Sequence, residues 1–309
     1  MTRRYPLVGM EQLCGLFGLT RQAWYAATRR QEKLGFQAAI VLTEVKRLRK
    51  QIAGLGTTKL YELMQDFLAS HQIKLGRDKL HKLLKINGLI LTKKRSKIKT
   101  TDSDHDLEKY PNQVKELKPT GIGQLWVSDL SYIRVGIGFA YLSVIMDAYS
   151  RKIVGWSFHK TLEAKGPVAA LEMALQMHGQ TNQSLIHHSD RGVQYCSGAY
   201  VDRLRQAKIT ISMTESGDPN ENALAERVFR TLKEEFHLWG FPPFGLAETA
   251  VEQAIRAYNS LRPHASLGYK TPDLAHQGKG YQPLKWYPYK KVRFGNVHYQ
   301  ADNLSCSPL

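Results

Sequence analysis

Three carboxylates stand where they could hold divalent metal against a phosphodiester. Asp129 lies in the apolar run Gln124-Leu-Trp-Val-Ser-Asp-Leu-Ser-Tyr-Ile-Arg-Val135. Asp190 closes Ser184-Leu-Ile-His-His-Ser-Asp190, and Glu226 falls just inside a helix opening at Asn222. Phosphoryl transfer needs the attacking and departing oxygens stabilised while phosphorus changes partners, which two Mg²⁺ ions about 4 Å apart accomplish. Mg²⁺ takes hard oxygen ligands and keeps several waters, so a few carboxylates suffice, and Mn²⁺ suits the same donors. Helical spacing groups Glu226 with Arg230 and Lys233, opposite Leu224, Val228 and Leu232. A single acidic residue is more often a cap or a surface charge, so the constellation carries the weight. Asp147 also ends a strand, but it precedes Tyr149-Ser150-Arg151 and reads as a turn residue. His187 and His188 read as buried strand-end histidines outside the catalytic set.

The elements that must hold these groups are readable in outline. Leu125–Val135, Phe139–Tyr149 and Lys152–His159 are β-rich runs parted by Gly136-Ile-Gly138 and Ser150-Arg151, which predicts an antiparallel meander. Next come a helix over Ala164–His178, a buried strand over Ser184–Asp190, a helix over Ala199–Ala207 and a short strand over Ile209–Met213. A long helix, Asn222–Trp239, follows with Asn222 as N-cap. Meander strands, then strands alternating with helices, is the order of an α/β RNase H-like fold.

Upstream the chain reads as all-helical. Met10–Phe17 and Arg21–Arg30 flank Gly18-Leu-Thr20, a helix-turn-helix pattern with Thr20 as N-cap. A plain hairpin with Trp24 and Tyr25 as its core fits the spacing equally. Ala38–Gln51, Thr57–Ser70 and a helix closed by Asn87-Gly88 follow, with Leu80, Leu83, Leu84 and Ile86 on to Leu89 as the last one's apolar stripe. No sustained heptads appear. The division expected is a helical DNA-binding region over 1–91 (helix-turn-helix candidate 10–30, second unit 37–91) and a basic linker over 92–120. An RNase H-like catalytic core over 121–240 and a helical, then basic and aromatic, extension over 241–309 complete it.

Charge is unevenly spread. Of the 44 Lys+Arg and 27 Asp+Glu, residues 1–100 hold 21 and 6, so the first third carries nearly all of the net +17. Such asymmetry fits a footprint for a polyanion, nucleic acid first, with a merely solvated basic surface as the plainer account. Arg21 and Gln22 open the candidate recognition helix. Arg77, Lys79 and Lys82 line one side of a further helix, and Lys93, Lys94 and Arg95 form a basic run suited to tracking a DNA backbone. Arg230 and Lys233 join Glu226 near phosphate. Three cysteines without paired spacing argue against a disulfide framework and a zinc site. With neither a signal-like segment nor a membrane-length apolar run, and with unpaired cysteines, the expected place is the cytoplasm, without a membrane partner.

Four motifs make the pattern specific. They are Trp126-Val-Ser-Asp129, His188-Ser-Asp-Arg-Gly-Val-Gln-Tyr195, Glu221-Asn-Ala-Leu-Ala-Glu-Arg227 with Leu232-Lys233, and Tyr258-Asn-Ser-Leu-Arg-Pro-His264 with Leu267 and Thr271-Pro272. Over residues 38–275 the chain resembles a DDE transposase of bacterial insertion sequences, in the retroviral-integrase superfamily. It is most similar to the second-frame product of the group with two overlapping frames. The resemblance implies that Asp129, Asp190 and Glu226 are the metal-binding catalytic triad and that Lys233 matches the family's basic residue after the Glu. It also implies terminal inverted repeats and target DNA as substrates, a homo-oligomer of at least two copies in the synaptic complex, and an upstream-frame helix-turn-helix protein as a further partner. The paired His and Cys zinc module of retroviral integrases is absent here. The chain is either the catalytic half of a frameshift fusion or a version complete in itself. Lys285-Trp-Tyr-Pro-Tyr-Lys-Lys291 and Arg293 suit DNA, a second protomer or a packed extension alike.

Two other functions compete with DNA cleavage and strand transfer. A plain RNase H-like nuclease has less need of the basic N-terminal third. A non-catalytic DNA-binding regulator has no need of three intact carboxylates.

Overall fold

A computed structural model describes residues 9–91, 106–179, 184–215, 219–241 and 243–278. Lys93, Lys94 and Arg95, the 285–293 segment and Cys306 lie outside the described residues.

The N-terminal part is helical. α1 (Met10–Gly15) and α2 (Arg21–Gln51) meet at a short turn, and Thr20 caps α2 by accepting from Ala23 N at 3.1 Å. α2 is one helix of 31 residues, where the sequence predicts two with a break near 31–37. Residues 31–34 are good helix formers, no proline intervenes, and a lone Gly35 costs only about 1 kcal/mol. Leu34, Ala38, Val41, Val45, Leu48 and Ile52 recur at alternate spacings of four and three, a heptad pattern that the expected break conceals. Val41 to Ile52 of this stripe are buried, whereas Leu34 is 56% exposed. The hairpin's small core is Leu13 and Cys14; Trp24 is half-buried and Tyr25 exposed.

α3 (Thr57–Leu63) and α4 (Gln65–Ser70) replace the single helix expected, with the break at Met64. α5 (Arg77–Ile86) ends at Asn87, and Gly88 turns the chain at φ +66°. Leu60, Met64, Leu80 and Leu84 are wholly buried with the end of α2, each contributing about 1.5–3 kcal/mol. Ile86, expected on that stripe, is exposed instead: two residues beyond Leu84 turns it about 200° away.

The sheet follows. β1 (Leu125–Val135), β2 (Gly138–Asp147) and β3 (Ile153–His159) form the antiparallel meander. After α6 (Lys165–His178), β4 (Ile186–Ser189) pairs with β1 in parallel. α7 (Val193–Cys196) and α8 (Gly198–Gln206) lead to β5 (Thr210–Met213), parallel to β4. α9 (Ala223–Glu235) precedes β6 (Gly240–Phe241), which pairs with the far end of β1, and α10 (Phe244–Ser260) and α11 (Pro272–Gln277) are the last helices among the described residues. The strands lie in the order β3-β2-β1-β4-β5, and the meander followed by alternating helices and strands is the RNase H-like succession of elements expected.

Alternation along β1 divides two cores. Leu125, Val127 and Ile133 pack with Val228, Phe229, Leu232 and Val251 of α9 and α10. Trp126 packs on the other face with Leu171, Tyr195 and Tyr200 of α6, α7 and α8. α9 stops at Glu235 rather than at Trp239, because His237 takes φ +57° and the chain turns into β6. Asn222 sits at its N-cap position but makes no cap bond. Its amide is used elsewhere.

Candidate active site

Register brings two of the three carboxylates together. Val127 of β1 pairs with His188 of β4, so two residues further along the parallel strands Asp129 stands beside Asp190. Parity puts Asp129 on the same face as Val127, the face α9 covers, and Asp190, one residue past β4, is near enough for its charge to be felt at Asp129. Glu226 lies half-buried in the first turn of α9, where the helix dipole favours a carboxylate.

The pocket of charge is strained by its own sign. Burial, then the neighbouring Asp190 carboxylate, push Asp129 up to about 8, although Leu130 N donates to its Oδ1 at 2.7 Å. Glu226 adds to that rise and the Lys233 ammonium opposes it. Asp129 keeps some solvent surface while protein crowds its carboxyl, so repulsion is felt at close quarters. Burial also raises Asp190, against a 3.1 Å bond from Gly192 N to its Oδ1. Among the described residues no three His, Cys, Asp or Glu side chains stand close enough to enclose a metal ion as placed. The donors are nonetheless hard oxygens deficient in countercharge, which fits a divalent cation.

Residues outside the expected set hold this arrangement. Asn222 Nδ2 donates to Ser128 O at 2.9 Å, tying the start of α9 to the strand one residue before Asp129. His188 lies between Ser212 Oγ (2.9 Å from Nδ1) and Glu221 O (3.0 Å from Nε2). A carbonyl only accepts, so Nε2 carries the proton and Nδ1 accepts from Ser212. The histidine therefore links β4, β5 and the segment before α9, and burial lowers its pKa. Behind the strands, Ser128 Oγ donates to Tyr195 OH at 3.1 Å and Tyr200 OH meets His187 Nε2 at 2.9 Å. Sequence reasoning leaves His188 aside and takes Asn222 for a cap; both stand inside the quoted motifs, the one signal available. Asp147 is a turn residue: Oδ1 accepts from Ser150 N and Oγ, and Oδ2 from Gly123 N, each at 2.8 Å.

The basic candidates are dispersed. Lys233 donates to Ser131 Oγ at 2.7 Å and lies 4.8 Å from the centre of the Tyr132 ring, alongside the carboxylates. Burial lowers its pKa. Arg230 is exposed on α9. Arg21 and Gln22 are exposed at the far end of α2, and Arg77, Lys79 and Lys82 are exposed on α5, with Arg77 bonded to Asp78 at 3.0 Å. Cys14 and Cys196 are buried free thiols.

Comparison with known proteins bears on this site. Residues 119–219 and 207–272 match two integrase core domain families. A 31 kDa protein of insertion element IS600 from Shigella sonnei is 32% identical over 265 residues, spanning 84% of this chain and 96% of that one. The chain belongs to the insertion-sequence transposases of the retroviral-integrase superfamily. The transposase of element IS904 from Lactococcus lactis is 33% identical to it over 198 residues, 62% of this chain and 76% of that one. Among solved structures, the HTLV-2 integrase catalytic core in complex with magnesium is 18% identical, with TM-score 0.41 over 50% of this chain and 97% of that one. The transposase is thus a polynucleotidyl transferase, and no described helix is long and apolar enough to cross a membrane.

Proposed function

We propose that this transposase binds the terminal inverted repeats of an insertion sequence and carries out metal-dependent DNA cleavage and strand transfer at Asp129, Asp190 and Glu226. The observation that carries the reading is the parallel register that sets Asp129 beside Asp190 under the helix bearing Glu226. Mg²⁺ is the cation of choice, with Mn²⁺ a substitute and two ions per site; bound, it stabilises charge on the oxygens entering and leaving phosphorus. The three carboxylates hold it. Asn222 and His188 fix the start of α9 so that Glu226 faces the strands. The Lys233 ammonium, resting on Ser131, is placed to receive a phosphate of the terminal DNA. Water as nucleophile frees a 3′-hydroxyl at the element end, and that hydroxyl then attacks target phosphate in the same site.

Residues 1–91 serve as the DNA-binding region and 121–240 as the catalytic core. Arg21 and Gln22 face base edges, while Arg77, Lys79, Lys82 and Arg230 contact phosphate. The enzyme works in the bacterial cytoplasm, at the nucleoid, as at least a dimer holding two ends, with an upstream-frame helix-turn-helix protein as a further partner.

A joining assay on element-end DNA in Mg²⁺ tests the reading. Asp190→Asn and Glu226→Gln should each lower cleavage and joining by at least about a hundredfold while end binding stays nearly intact. Near-wild-type joining by either variant removes that residue from the chemistry. Wild-type cleavage without joining favours the plain nuclease, and neither reaction favours the regulator.

A further inference from the structure

The Tyr258–His264 motif has no part in the chemistry above, yet it is built around one charged joint. Arg262, only 6% exposed, grips Glu235 with two donors, Nε to Oε2 at 2.9 Å and Nη2 to Oε1 at 2.7 Å. Its Nη1 meets His264 Nε2 at 2.7 Å, and its guanidinium stands 5.6 Å from the centre of the Tyr258 ring. Asn259 anchors the same segment to the sheet through both polar groups of Ile153, each at 2.9 Å. Lys59 reaches the same carboxylate from the helical unit, at 2.5 Å from Oε1. Gly54 N donates to Glu235 O at 2.7 Å, and the backbones touch there: a Cβ on Gly54 would stand 2.6 Å from Glu235 Cα. Phe236, Ala257 and Leu261 pack against the apolar core of the helical unit.

Glu235 is the last residue of α9, and Glu226 lies nine residues earlier, about 13 Å along the same rigid rod. We propose that Glu235, clasped by Arg262 and Lys59, is the positioning residue through which the N-terminal helical unit sets α9, and so the reach of Glu226 toward Asp129 and Asp190. The inference rests on the proposed role of Glu226. Gly54 and Lys59 are where the helical unit meets the end of α9, so their contacts with Glu235 fix how the helix that carries Glu226 is seated over the strands. Burial, then the adjacent Arg262, hold Lys59 down to about 8, so it remains largely charged at neutral pH. His264 is held neutral by burial, then by Arg262, which lets it accept from that guanidinium.

The test uses full-length protein and pre-cleaved element ends, and separates the joining rate at saturating DNA from the DNA concentration giving half that rate. Lys59→Met should lower the saturated rate about tenfold, the size of one broken charge-assisted bond, with the half-saturating concentration unchanged. Lys59→Arg should restore the rate, because the clasp needs a cation at that carboxylate and an ordinary packing role does not. Glu235→Gln should lower the rate further; where it does not fold, the Lys59 pair decides. An unchanged saturated rate in Lys59→Met, or a loss confined to the half-saturating concentration, overturns the clasp. Wild-type protein that fails to join ends at all overturns instead the strand-transfer reading on which it rests.

Discussion

The helical unit and the sheet domain bury very different things. Around α2 to α5 the core is aliphatic and thioether, and the buried polar group of that region, Glu44, is paired with Arg47 on its own helix. The sheet domain buries Ser128, Asp147, His187, His188, Ser189, Ser212, Asn222 and Arg262. The first region is stabilised by packing, with most of its cations left on the surface. The second spends hydrogen bonds on placing a few groups, at the cost of burying polarity that must be satisfied. Cutting into the two should therefore give different signatures.

The largest effect on stability should come from the helical core. Leu84→Ala removes a wholly buried side chain and should cost about 2–5 kcal/mol, read by denaturant unfolding. A cost near zero would mean that this core is looser than its burial implies.

A titration should mark the sheet domain. His187 is fully buried and held down to about 3 from its ordinary 6.5, by burial and then by His188. Its folded value is depressed, so the unfolded chain binds more protons between these values. Stability is then complete above 6.5 and falls as pH drops toward 3, at up to about 1.4 kcal/mol per pH unit. His187→Phe should flatten that slope in denaturation curves; an unchanged slope would mean that another group carries it.

The smallest effect per residue should lie on the surface. Replacing Arg77, Lys79 and Lys82 by Ala should leave the unfolding midpoint in place. It should lower the slope of log affinity against log salt by about 0.9 for each phosphate that these cations neutralise. Equilibrium binding of an end fragment across a salt series measures it, and an unaltered slope would take α5 out of the DNA interface.

What the sequence yields follows the range of the interactions. Local rules locate Thr20 as a cap, Gly88 as a helix terminator and the β1–β3 meander, because each depends on a few adjacent residues. The continuity of α2 escapes them because residues 31–37 lack apolar periodicity of their own, and nothing short of a proline would have broken the helix. The end of α9 at Glu235 escapes them because pairing of β6 with β1, a strand over a hundred residues away, draws the chain off the helix. The carboxylates are recognisable by motif. Their adjacency rests on the register of β1 with β4, and the clasp joins residues 176 apart in sequence, Lys59 and Glu235. No periodicity encodes either.

α2 has a mechanical consequence. Its last turns are locked in the helical core, while the stretch from Arg21 to Val41 runs outward for about 30 Å without a break. Such a rod is a ruler and a protractor at once, carrying the α1 turn at a set distance and a set angle from the catalytic sheet. Four residues added within 31–37 would lengthen it by about 6 Å and rotate its tip by about 40°, so length and phase cannot be altered independently.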